Sequence, residues 1–115
     1  MTRTASIITA LALLAGCRDH RMVATIEGAD SMRSAVLSIA PVGSRIDSAP
    51  ARLALEGFRC SPGHGRIAGR PASDYLLCTA SVSVGSPVAR RWVVVLFSDS
   101  ARVTDVAANS GLVGP

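Results

Sequence analysis

The stretch Leu76-Leu77-Cys78-Thr79-Ala80-Ser81-Val82-Ser83-Val84 decides the fold. Leu76, Cys78, Ala80, Val82 and Val84 fall on one side of an extended chain, and Leu77, Thr79, Ser81 and Ser83 on the other. Side chains alternate along a strand, so this segment predicts a half-buried antiparallel strand. Gly85-Ser86-Pro87 predicts the turn after it. Trp92-Val93-Val94-Val95-Leu96-Phe97 is apolar at every position, which places the next strand centrally, with both faces covered.

Working outward, Ser98-Asp99-Ser100 predicts another turn, and Arg102–Ala108 a last strand. Val103 and Val106 break its period of two, the mark of a bulge. Residues 109–115 have turn chemistry and are expected as a tail. Before residue 76, Phe58-Arg59-Cys60 opens a strand, Ser61-Pro62-Gly63-His64-Gly65 reads as a turn cluster, and 66–73 show no period.

Two helices are expected ahead of the strands. Met32, Val36, Ile39 and Ala40 share one helical face, with Asp30 or Ser31 as cap and Pro41 as stop. A second helix is expected from Asp47 as N-cap, with Pro50 at the third position, where no intrahelical N–H bond is needed. Its end carries a Schellman signature: Gly57 at C′, with Phe58 at C″ contacting Leu53. Helices followed by sequential strands argue an α+β domain over 30–115. Its two short helices pack on one face of a three- or four-stranded antiparallel sheet. Residues 17–29 are expected as a tether, with a short strand at Val23–Ile26.

Composition narrows the chemistry. The chain has 115 residues, a net charge of +4 and 3% aromatic residues. Every basic residue is Arg, which excludes Schiff-base, pyridoxal phosphate and P-loop Lys chemistry. The arginines are scattered, not interleaved with aromatics, so no nucleic-acid partner is expected. Arg18 and Arg21 offer only mild attraction to anionic headgroups.

The N-terminus reads as an address. Arg3 precedes the apolar run Ile7–Ala15, far short of the roughly 20 residues a spanning helix needs. The run ends in Leu14-Ala15-Gly16-Cys17, which resembles the lipobox of bacterial lipoproteins. The resemblance implies a signal peptide over 1–16, cleavage between Gly16 and Cys17, and diacylglycerol and acyl (palmitate-type) modification at Cys17. Several acyl chains anchor firmly, because each buried methylene adds roughly 0.8 kcal/mol. The partner implied is the membrane itself, with other envelope proteins as contacts. The position after Cys17 holds Arg18 rather than Asp. By the family's sorting rule this implies the periplasmic face of the outer membrane rather than the inner membrane.

With Cys17 assigned, Cys60 and Cys78 remain. An even pair in an exported chain reads as a disulfide worth roughly 3 kcal/mol. Free thiols, or a metal held by Cys60, His64 and Cys78, are the competing readings, and a fourth metal ligand is not evident. The element order and the anchor are similar to small outer-membrane lipoproteins of the SmpA/OmlA type. That resemblance implies their β-lactamase-inhibitor-like fold over roughly 30–108.

No catalytic constellation emerges. Ser83-Val84-Gly85-Ser86-Pro87 is a hairpin, not a Gly-x-Ser-x-Gly elbow, and the glycines around His64 follow no βα unit. No acidic pair shares a confident face. The expectation is therefore no catalytic residue, no metal and no cofactor, and a structural or protein-interaction role. Candidate contact surfaces are the polar sheet face (Thr79, Ser81, Ser83) and the exposed edge strand. The alternative is an inhibitor or ligand-binding module that works through the loop 61–73.

Overall fold

The computed structural model describes residues 19–114. Among them run helices α1 (Met22–Thr25) and α2 (Ala29–Ile39), a single 3-10 turn (Ile46–Ser48), and helix α3 (Ala49–Leu55). Strands β1 (Arg59–Gly65), β2 (Ser73–Gly85), β3 (Val88–Asp99) and β4 (Arg102–Val113) follow. The strands form one antiparallel sheet in the order β1-β2-β3-β4, so each pairs with its sequence neighbour. The fold is α+β.

The alternation in β2 fixes what is inside. Cys60, Cys78, Val94 and Ala108 lie in one row across all four strands, and Leu76, Leu96 and Val106 in the next. Leu76, Cys78, Trp92, Val94, Leu96 and Val106 belong to the same core cluster as Val23, Met32, Val36 and Leu53 of the helices. We call this the inner face of the sheet. On the outer face, Val95 and Phe97 are also buried, as expected for an inner strand apolar on both sides. The expected bulge is present: Phe97 pairs with Asp105 but Ser98 with Val103, leaving Thr104 as the extra residue.

Helix α2 buries Met32 and Val36, the face its spacing predicts, and Ala40 is buried just beyond its end. The Schellman ending of α3 forms as expected. The Phe58 N–H donates to the Leu53 carbonyl at 3.1 Å and the Gly57 N–H to that of Ala54 at 3.1 Å, with Phe58 and Leu53 both buried. Gly57 has φ +100°, and a Cβ there would sit 2.4 Å from the Val23 side chain. The position therefore requires glycine twice over, for its backbone angle and for the close approach of α1.

Several expectations are corrected. Neither Asp30 nor Ser31 caps α2, which starts at Ala29 with Gly28 at its N-cap and leaves Asp30 in the first turn. The segment 17–29 is not a plain tether from Met22 onward. Val23–Ile26 opens in helix α1, not a strand, and Val23 is buried under the Trp92 indole, whose Nε1–H donates to its carbonyl at 3.3 Å. Four residues are too few to show a helical period, so tertiary packing decides. Asp47 does not cap α3. It accepts from Arg45 at 2.7 Å, the helix starts one 3-10 turn later, and Pro50 moves to the second position.

The turn cluster 61–65 is strand. Pro62 is tolerated because β1 is an edge, where a missing N–H breaks no second ladder. Gly63 gives room to the Tyr75 ring, which a Cβ would meet at 2.5 Å. The β3–β4 connection is the two-residue turn Ser100-Ala101, both at positive φ, and Ser98 and Asp99 stay in the ladder. Finally, the tail expected at 109–115 continues β4 to Val113, because the long β3 offers it partners back to Ala89.

Candidate functional site

Gly16 and Cys17, the proposed cleavage and lipidation positions, lie outside the described residues. The packed chain nevertheless begins close to them, since Met22 follows Cys17 by only five positions.

Cys60 and Cys78 are disulfide-bonded. They are direct cross-strand partners on the inner face, with Cys78 fully buried. The bond takes both thiols that a metal site built on Cys60, His64 and Cys78 would have used. His64 sits near the end of β1, where Nδ1 lies 2.7 Å from Asp74 Oδ1 on the paired strand. Both side chains are about 70% exposed, at 72% and 69%. Among the described residues no hydroxyl hydrogen-bonds to this imidazole. Beside the pair is a cleft of about 390 Å³ lined by Ile46, Pro50, Pro62, Tyr75 and Leu76, more apolar than polar.

The alternative loop 61–73 is divided by the fold. Its first five residues belong to β1, and the connection 66–72 is fastened through Arg70. That guanidinium stacks 4.4 Å from the centroid of buried Phe97 and pairs with Asp105. Asp105 also accepts from Arg33 of α2 at 2.8 Å, and from the Val106 N–H at 2.8 Å. Arg33 donates further to the Val106 carbonyl at 2.8 Å. Asp105 therefore ties helix, edge strand and connection together. Its hydrogen bonds to Arg33 and Arg70 hold its carboxyl down at about 2.

The polar residues of β2 meet arginines rather than solvent alone. Thr79 is the cross-strand partner of Arg59 in β1, and Ser81 that of Arg91 in β3, so all four project from the outer face. With Gly57 and Ala80 they line a pocket of about 310 Å³. Ser83 lies exposed beyond it, toward the β2–β3 turn.

Nothing in the sequence brings Arg59 and Arg91 together. They are distant along the chain and belong to no motif, and only the strand register joins them. Among the described residues no helix is long and apolar enough to cross a membrane. Comparison with family models, with characterised proteins and with solved structures finds no match for this chain.

Proposed function

We propose that this chain is a non-enzymatic envelope lipoprotein, anchored through acyl groups on Cys17 at the periplasmic face of the outer membrane and acting through contacts with other envelope proteins. The observation that carries the reading is Leu14-Ala15-Gly16-Cys17 at the end of a short apolar run, five positions ahead of a packed domain. The Cys60–Cys78 disulfide supports an oxidising compartment, where such bonds persist. In the same reading α2 and α3 cover one face of the sheet, and the layout is akin to the SmpA/OmlA-type lipoproteins. The clamp on Arg70 favours contact through the sheet surface over insertion of the 66–72 connection into a cleft.

Fractionation of bacterial cells tests the anchor. The native chain is expected in the membrane pellet and the Cys17→Ser chain in the soluble fraction. Equal sedimentation of both would overturn the proposal.

A further inference from the structure

The arginines of the sheet fall into two groups. At the end where β4 begins, Arg70 pairs with Asp105, and Arg102 donates to the Gly43 carbonyl at 2.9 Å. All three acids of the sheet, Asp74, Asp99 and Asp105, lie toward that end. The opposite end holds Arg59, Arg90 and Arg91 and no strand acid. Among the described residues none of these three donates to a carboxylate.

Two carboxylates that flank α1 and α3 have partners of their own. Asp19 accepts from Arg21 at 2.9 and 2.8 Å, and Glu56 accepts the Met22 N–H at 3.1 Å. Arg59 and Arg91 therefore line one pocket together with Thr79 and Ser81, and among the described residues neither guanidinium is paired with a carboxylate. Guanidinium forks and hydroxyl donors together match an oxyanion with several acceptor oxygens, above all phosphate.

The surroundings say where that phosphate comes from. Gly57 lines the pocket and also touches the N-terminal segment, with Arg21 Nη1 3.4 Å from where its Cβ would be. Cys17 is five positions before Met22, a span of at most roughly 17 Å even if fully extended. The same end exposes Val84, Leu112 and Val113, at 47%, 68% and 50%. A charged pocket and exposed apolar side chains at one end of the sheet suit a lipid–water boundary.

We infer that the Arg59–Arg91 pocket binds a phosphate oxyanion, and that the headgroup of the layer carrying the anchor supplies it. The headgroup source rests on the lipoprotein reading; the phosphate site does not.

The test uses the full chain with Cys17→Ser, so that acylation contributes nothing, and the same chain with Arg59→Gln and Arg91→Gln added. Amide NMR with inorganic phosphate is expected to move the Thr79 and Ser81 signals in the first chain and leave them still in the second. Binding to vesicles of an anionic phospholipid is expected to fall at least roughly tenfold in the second chain, with native amide dispersion showing that it is folded. Phosphate shifts without a change in vesicle binding would keep the site and make soluble phosphate its source. No phosphate shift and equal vesicle binding would overturn the site. Absence of an acyl group on native Cys17 would overturn the anchor alone.

Discussion

The two ends of the sheet treat their arginines in opposite ways. At the end where β4 begins, guanidiniums are spent inside the molecule. Arg33 and Arg70 converge on Asp105, Arg45 holds Asp47, and Arg102 reaches the Gly43 carbonyl. At the other end Arg59 and Arg91 share a pocket with Thr79 and Ser81, and among the described residues no carboxylate pairs with either. The first end uses charge to fasten connections to strands, and the second leaves charge available to a ligand. Substitutions at the first end should therefore show in stability, and substitutions of Arg59 or Arg91 in binding.

The largest expected effect probes the core that both ends share. Trp92→Ala removes the indole that fills the inner face and holds the Val23 carbonyl. A loss of about 3–5 kcal/mol is expected in urea unfolding, with early proteolysis ahead of α2. A loss below about 1 kcal/mol would mean that α1 is not docked.

Next comes the disulfide. Cys60→Ala with Cys78→Ala is expected to cost about 3 kcal/mol on the chain-entropy account, measured as a shift in denaturation midpoint. The bond fastens the edge strand β1, which carries Arg59, to β2. The double variant should therefore weaken phosphate binding as well as stability.

Asp105→Asn sharpens the contrast directly. Losing one acceptor of two guanidiniums is expected to cost about 1 kcal/mol and to expose Arg66 and Arg70 to trypsin, with phosphate binding unchanged. The pH dependence has a definite sign. The folded carboxyl sits at about 2 against an ordinary 3.8, so its contribution is complete above about 4. It is lost as pH falls through 2. Thermal melts between pH 5 and 2 should show Asp105→Asn converging on the native chain at the acid end.

The smallest effect lies in the β3–β4 turn. Ser100 and Ala101 occupy φ of 53° and 64°, angles that Asn and Gly adopt more readily. Replacing the pair with Asn-Gly is expected to stabilise by about 0.5–1 kcal/mol in the same melts.

Where the sequence was legible, a period carried it. Leu76–Val84 and Trp92–Phe97 announce their strands because burial on one face or two is written in the spacing. Gly57-Phe58 announces its helix end because only glycine suits the backbone there. Asn109–Val113 and Ser61–Gly65 were not legible, since Asn, Ser, Pro and Gly speak locally for turns. Pairing with the long β3, and the Cys60–Cys78 cross-link, outweigh that preference. Helix α1 is too short to show a period, and it exists because Val23 fits between Trp92 and Gly57. The Arg59–Arg91 pocket was least legible of all. Its parts come from three strands and become neighbours only through register.

Intact mass spectrometry of the protein extracted from membranes tests the account most directly. The predicted result is a chain beginning at Cys17, heavier by a diacylglyceryl group and an amide-linked acyl chain, and lighter by two hydrogens for the Cys60–Cys78 bond. A chain that still begins at Met1, with an unmodified thiol at Cys17, would contradict it.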